Sequence, residues 1–389
     1  MKINIIYLAL ALLLHSSPLL AQAPLPKGAA EGMPSNNLPA DLLLRGWLQE
    51  PFIHGVVINK PSSIRNFEQI KKEENTRYAD LRGKIRNTSN ISKPLGIIFI
   101  DENSKIIFEE YNKGATIDSK IIAYSMSKSM TSLAVGKALC KGHLDSLDDL
   151  AEKYSPSLIG TSYGRATIRQ LLTMSSGGMQ PHFNGQPVEG VTSALLRYRS
   201  KTVRNGFVEY GTDNYKASTP GVFRYKNFDT YALGVVISDA TKMPFYKFFA
   251  ENIWSETGAQ SDAAWLLDKN GDAATAEGFG ATLRDWARVA IYIMDKMKSN
   301  DDICLRDYLK QATTAQIENN SNANREFRGY GYQFWINHWM AEKSVWMRGY
   351  AGQMLGMDRS SGRLMVVLSN DGGNPEAYTR LFDAFAKID

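Results

Sequence analysis

The feature that most restricts the fold is where the strand-like segments fall. Residues 94–100 (PLGIIFI) and 105–111 (KIIFEEY) are short apolar runs rich in β-branched side chains, and 101–104 between them suits a hairpin turn. A comparable run, 363–369 (RLMVVLS), comes only near the far end of the chain, after strand patterns at 332–339, 344–350 and 352–357 and a turn at 358–362. Between the two groups the periodicity is helical. Met126, Met130, Leu133, Ala134 and Ala138 recur at helix spacing over 125–139, with Gly142 able to end the helix in a left-handed conformation. Residues 151–286 alternate short helical patterns with turn-rich loops and show no convincing strand run. Residues 282–297 form a long amphipathic helix with Leu283, Trp286, Ala287, Ala290, Ile291 and Met294 on one side, and 378–388 reads as a closing helix. The predicted class is α/β of the α+β kind: one antiparallel sheet assembled from N- and C-terminal segments, flanked by helices, with an inserted, mostly helical lobe at about 151–286.

With 389 residues and 43% hydrophobic composition, the chain can bury a large core in one domain or two intimate ones. Its 45 basic and 40 acidic residues are interspersed, for a net charge of +5, and no basic run tracks a phosphate backbone, so nucleic acid is not an expected partner. The first residues read as an export signal: Lys2, an apolar run at 5–14, and Leu19-Leu20-Ala21 as a small-residue cleavage site. Cleavage after Ala23 would place Pro24 beside the scissile bond, so Ala21 is preferred. The apolar run is too short to span a bilayer and no second one follows, so cleavage leaves no stable membrane span; an uncleaved anchor is the alternative. The expected organisation is a signal peptide at 1–21, a lead-in and extension at 22–90, and a catalytic domain at 91–389. The expected location is exported, periplasmic or secreted. An oxidising compartment permits a bond between Cys140 and Cys304, although two small buried apolar residues is the plainer reading. His15, His54, His143, His182 and His338 are scattered, with no CxxC and no HExxH, so neither a zinc site nor any other cofactor is called for.

Three short segments carry chemistry. In Tyr124-Ser125-Met126-Ser127-Lys128, a Ser and a Lys three apart share one helix face. If the helix begins near Ser125, its positive end favours an alkoxide and lowers the lysine pKa, placing a nucleophile beside its activator. A serine at a helix start followed by a solvated lysine would be the bland reading, but Lys128 sits in an otherwise apolar helix. In Tyr225-Lys226-Asn227, a phenol near an ammonium can shuttle a proton, and Asn227 can donate and accept at once; a loop tyrosine beside a capping asparagine is the alternative. In Gly349-Tyr350-Ala351-Gly352-Gln353, entering a strand, Gly352 would let a substrate lie against the strand edge. There the Gln353 backbone N–H would join that of Ser125 in an oxyanion hole.

In this order the three segments resemble the serine β-lactamase-like superfamily: class C β-lactamases, penicillin-binding D-Ala-D-Ala peptidases, related esterases and aminohexanoate-dimer (nylon-oligomer) hydrolases. Residues 166–178 (ATIRQLLTMSSGG), 220–234, 278–288 (GFGATLRDWAR) and 330–335 (YGYQFW) are similar to further segments of it, so the likeness covers about 94–389. It implies a β-lactamase/transpeptidase-like fold in which Ser125 is acylated, Lys128 and Tyr225 are the acid–base pair, and Asn227 assists. The third segment departs from the β-lactamases, where Lys and then Thr or Ser stand at the places of Tyr350 and Ala351. Without that cation a β-lactam carboxylate loses its anchor. Arg348 could replace the charge from two residues earlier, though a surface arginine on a strand is the expected reading. Gly352-Gln353 before an apolar strand, with Gly46-Trp47 and Pro51 in the lead-in, looks most like the nylon-oligomer branch, which acts on short linear amides and carboxylic esters. The function expected is thus an exported serine hydrolase acting by a Ser125 acyl-enzyme on a small-molecule amide or ester. A D-amino-acid peptidase or weak β-lactamase acting on cell-wall-type substrates, and a catalytically silent binding protein of the same fold, are the alternatives. A Ser–His–Asp hydrolase is disfavoured because no Gly-x-Ser-x-Gly elbow occurs.

Overall fold

The computed structural model describes residues 54–71, 74–178, 182–183, 186–187, 202–210, 219–321 and 324–388. The expected export signal and the Gly46, Trp47 and Pro51 of the lead-in lie outside the described residues. In chain order the strands are β1 (His54–Ile58), β2 (Glu68–Gln69), β3 (Gly96–Ile100), β4 (Lys105–Tyr111), β5 (Lys120–Ile122), β6 (His182–Phe183), β7 (Gln186–Pro187), β8 (Ala263–Leu267), β9 (Phe279–Thr282), β10 (Ile317–Glu318), β11 (Phe327–Tyr330), β12 (Trp335–His338), β13 (Ala341–Gly349), β14 (Gln353–Asp358) and β15 (Leu364–Leu368). The helices are α1 (Ala79–Ser92), α2 (Ser127–Cys140), α3 (Ile168–Leu172), α4 (Val203–Tyr210), α5 (Asn227–Thr241), α6 (Phe245–Asn252), α7 (Leu283–Lys298), α8 (Ile303–Ala312) and α9 (Pro375–Ala386).

The N- and C-terminal strands do share one sheet, of nine strands in the order β10-β11-β12-β13-β14-β15-β3-β4-β2, with β15 joining the two groups by antiparallel pairing to β3. The runs are continuously apolar because both faces are covered. Ile98, Ile100, Leu364, Val366 and Leu368 face the core shared with the helical lobe. Their neighbours Ile97, Phe99, Met365 and Val367 face a second core under α1 and α9. A one-residue slip would exchange the two sets, so this period fixes the register.

One expectation is corrected. The segment 151–286 is not free of strands: β8 and β9 lie within it and form a four-stranded sheet in the order β1-β8-β9-β5. Their sequences, AAWLL and FGAT, are short, buried and without alternation, and periodicity cannot tell such runs from buried helix. Within the extension, His54–Ile58 pairs along β8, and α1 packs on α9 and β4. The small sheet matters for function, because β5 runs directly into the turn that carries Ser125.

Helix α2 is buried on every side from Ser127 to Ala138, so its polar side chains need internal partners. The Ser127 hydroxyl accepts from the Phe279 N–H (2.9 Å), Ser129 donates to the Gln333 carbonyl (2.6 Å), and Thr131 donates to the Thr275 carbonyl (2.9 Å). At its far end Cys140 is joined by a disulfide to Cys304 of α8, so the pairing left open by the sequence is present. Helix α9 begins at Pro375, ahead of the predicted 378, because the Asn374 side chain caps it by accepting from the Ala377 N–H.

Candidate active site

The backbone at the nucleophile is a 3-10 turn, Tyr124–Met126, and the α-helix proper starts at Ser127. Ser125 and Lys128 therefore straddle the junction, yet a spacing of three still aligns them. The Lys128 Nζ lies 2.9 Å from the Ser125 Oγ and donates to the Ala276 carbonyl at 2.8 Å. Lys128 is only 1% exposed. Burial, partly opposed by the nearby Glu277 carboxylate, lowers its pKa to about 7, where a neutral amine is readily available. Tyr124, just before the nucleophile, has φ +50°, a left-handed conformation that costs a non-glycine residue on the order of 1–3 kcal/mol and persists only where the surroundings impose it.

Tyr225 is the third member of the cluster. The Lys128 Nζ lies 5.1 Å from the centre of its ring. That ring stacks on Trp335 at 5.2 Å and meets the edge of Tyr330 at 6.3 Å. The loop that carries it is fastened to residues 174–178: Gly221 N–H donates to the Ser175 carbonyl (2.9 Å) and Arg224 N–H to the Met174 carbonyl (2.8 Å). Lys226 alternates to the opposite side, where its Nζ donates to the Ser176 Oγ and the Gly178 carbonyl, both at 3.2 Å, and faces the buried Asp229 at 3.7 Å. Burial lowers the Lys226 pKa and raises that of Asp229. Lys226 thus braces the loop, and Lys128 is the lysine that meets the phenol. Asn227 is buried at the first position of α5, immediately after this brace.

The third segment is brought to the same place, but its residues are used differently from the expectation. Strand β13 ends at Gly349, and a Cβ there would sit 2.2 Å from the Ala123 carbonyl, so β13 presses directly on the turn before Ser125. Tyr350, Ala351 and Gly352 turn the chain into β14. Tyr350 is 78% exposed, with its ring 5.6 Å from that of Tyr124, and forms a wall beside the nucleophile. Gly352 does not clear a path for substrate: it has φ +86°, and a Cβ would meet the Gly372 carbonyl at 2.6 Å, so its bareness serves the turn and the 370–373 loop behind it. Gln353 is fully buried, and its amide exchanges hydrogen bonds with both backbone groups of Ser369, tying β14 to the end of β15. Arg348 is not a surface residue. Its side chain is 11% exposed and turns back along the sheet face toward Phe327 and Glu326.

Sequence reasoning missed Tyr124, Glu277, Gly349 and the Ala276 carbonyl. A carbonyl can come from any residue type, and Glu277, whose Oε1 accepts from the Tyr231 hydroxyl, is distant from Ser125 in the chain, so neither left a local pattern. Gly349 stood in the quoted motif, and only the close approach to Ala123 separates its role from that of Gly352.

The sequence profile of the Beta-lactamase family matches residues 100–387. A 6-aminohexanoate-dimer hydrolase from Paenarthrobacter ureafaciens is 24% identical over 227 residues, 57% of this chain and 56% of that enzyme, so the match spans little more than half of the relative's length. Among solved structures, a Bacillus anthracis protein assigned to the 6-aminohexanoate-dimer hydrolases superposes with a TM-score of 0.71 at 19% identity, covering 93% of this chain and 96% of that one. The octameric penicillin-binding protein homologue from Pyrococcus abyssi gives 0.59 at 20% identity, covering 79% and 76%. At these identities the superpositions show a common fold.

Proposed function

This chain belongs to the beta-lactamase family, and from that premise we propose that it is an exported serine hydrolase that opens short linear amides or carboxylic esters through a Ser125 acyl-enzyme. The observation that carries the reading is the contact of 2.9 Å between the Ser125 Oγ and a buried Lys128 amine. A lysine with a pKa near 7 takes the serine proton as Oγ attacks the carbonyl carbon. The oxyanion is held by the Ser125 N–H and a second N–H from the turn after β13. We assign the latter to Tyr350, since Gly349 abuts Ala123 and the Tyr350 ring meets that of Tyr124, whereas Gln353 lies across the hairpin from Gly349. Tyr225 passes a proton to the departing amine or alkoxide, and water then cleaves the ester on Ser125 by the reverse sequence. Asn227, placed by the brace beneath Tyr225, assists substrate positioning. The name of the Paenarthrobacter relative supports a linear amide as one substrate class, and the export segment read from residues 1–21 supports action outside the cytoplasm.

Intact-mass analysis after exposure to a fluorophosphonate tests the proposal. The wild-type protein should gain one adduct, and Ser125→Ala should gain none and lose ester turnover. Ser127→Ala should still be labelled, because that hydroxyl serves the Phe279 N–H; leaving this donor unpaired costs about 1–3 kcal/mol of stability, not chemistry. Equal labelling of wild type and Ser125→Ala would end the proposal.

A further inference from the structure

The segment 330–335 (YGYQFW) carries the chain from β11 to β12, and no residue of it enters the mechanism above. Its fourth residue, Gln333, is buried and has φ +65°, a left-handed conformation that suits glycine and that another residue keeps only where its surroundings hold it. Glycine would meet the φ, so what glutamine adds is its amide. Nε2 donates to the carbonyls of Leu171 (3.1 Å) and Leu172 (2.8 Å) at the end of α3, and Oε1 accepts from the Thr230 hydroxyl (2.8 Å) of α5. The backbone of Gln333 is bound as well: its N–H donates to the Leu172 carbonyl (3.1 Å), and its carbonyl accepts from the Ser129 hydroxyl (2.6 Å) of α2. These bonds belong to a closed ring. The Thr230 carbonyl accepts from the Thr275 hydroxyl (3.0 Å), and the Thr275 carbonyl accepts from the Thr131 hydroxyl (2.9 Å), two residues from Ser129 on α2. Ser129, Thr131, Thr230, Thr275 and Gln333 are all buried, so a member left unpaired would be costly.

We infer that Gln333 is a positioning residue that fixes the Lys128 amine relative to the Tyr225 phenol. The inference rests on the Ser125 acyl-enzyme reading and adds a residue to which that reading gives no part. On the lysine side, Lys128 adjoins Ser129 in the ring, and its Nζ is bound to the carbonyl of Ala276, the neighbour of Thr275. On the tyrosine side, Gln333 sets both supports of the phenol. Trp335, two residues on, stacks on the Tyr225 ring, and the end of α3 leads into Met174, whose carbonyl fastens the Arg224 N–H. Thr230, the α5 partner of the amide, lies three residues after Asn227 and so one turn along the same helix. One amide thus joins the helix of the proton acceptor to the loop of the proton donor.

The time course of fluorophosphonate labelling, followed by intact mass, separates positioning from folding. The final adduct fraction counts competent molecules, and kinact reports how well the amine serves the attacking hydroxyl. Gln333→Gly fits the φ and keeps the backbone bonds but removes the amide. It should lower kinact by about ten- to a hundred-fold, with KI within about three-fold and the adduct fraction close to that of wild type. Thr230→Val removes only the α5 arm and should lower kinact by about three- to ten-fold, and the double variant should be hardly slower than Gln333→Gly because both changes break the same bond. A purely structural amide would lower Tm and the adduct fraction and leave kinact alone. A kinact within about two-fold of wild type in Gln333→Gly would therefore overturn the inference. Should that variant fail to fold, an unchanged kinact in Thr230→Val would overturn it by itself. Failure of the Ser125 reading is distinguishable, because the wild-type protein would then gain no adduct.

Discussion

In the proposed mechanism, the proton inventory around Lys128 sets the pH at which attack by Ser125 begins. Only the neutral amine can accept the Ser125 proton, and the folded protein lowers the lysine from its ordinary value to about 7 by burial. Below that pH the ammonium form dominates and attack is blocked, so kcat/KM for a p-nitrophenyl ester should rise as pH increases through about 7 and then level off. Glu277 opposes the burial effect by favouring the ammonium. Glu277→Gln should therefore move the acid limb to lower pH, and a limb that stays put or moves upward would remove Glu277 from the account. The meeting of Ser125, Lys128 and Tyr225 was legible from sequence because each proposed role needs a side chain that few other residue types can replace. Ala276, acting through a carbonyl, and Tyr124, acting through a φ of +50°, carry no such mark.

At the scale of elements, the site is made where β13 meets the end of β5. Gly349 has an ordinary extended φ of −132°, so what it supplies there is space and not backbone freedom. Gly349→Ala would drive a methyl group into the Ala123 carbonyl 2.2 Å away and displace the Ser125 turn. Acylation should fall by on the order of 10²-fold or more, as expected for an ångström-scale misplacement, while far-ultraviolet circular dichroism stays that of a folded protein. Retained burst labelling at the wild-type rate would contradict the close-approach argument. The other end of α2 is fixed differently, by the Cys140–Cys304 bond across a separation of 164 residues. In the chain-entropy treatment such a loop is worth about 5 kcal/mol. Cys140→Ser with Cys304→Ser should therefore lower Tm, yet leave fluorophosphonate labelling intact at room temperature, because a 14-residue helix puts the bridge about 20 Å from Ser125. The long, strongly patterned elements (β3, β4, β15 and α7) could be read directly. Strands β8 and β9 could not, since four or five buried residues give no period and their partners, β1 and β5, lie far away in the chain.

At the scale of the whole molecule, the nine-stranded sheet and the helical lobe bring together a serine turn from one region, a tyrosine loop from another and a strand end from a third. The ordered motifs made that meeting legible, because motifs far apart in sequence can serve one reaction only if the fold joins them. What they left open was the shape of the pocket, and this bears on β-lactams. A β-lactam holds its carboxylate rigidly beside the strained ring, so the cation that meets it must stand next to the nucleophile. Here the turn after β13 offers Tyr350, Ala351 and Gly352, and Arg348 carries its charge away along the sheet toward Phe327. A fused bicycle therefore finds no cation beside the nucleophile. Loss of one charge-assisted hydrogen bond weakens recognition by about 1.5–3 kcal/mol, or roughly ten- to a hundred-fold. A short neutral ester loses nothing by comparison, and the exposed Tyr350 ring gives its acyl group an apolar wall. The kcat/KM for p-nitrophenyl acetate or butyrate should accordingly exceed that for nitrocefin by at least about ten-fold. Tyr350→Lys with Ala351→Thr, which sets a cation beside the nucleophile, should narrow the gap by raising nitrocefin turnover. A wild-type enzyme that prefers nitrocefin would mean that Arg348 does swing to the nucleophile, and the same measurement on Arg348→Met would then show the loss on nitrocefin.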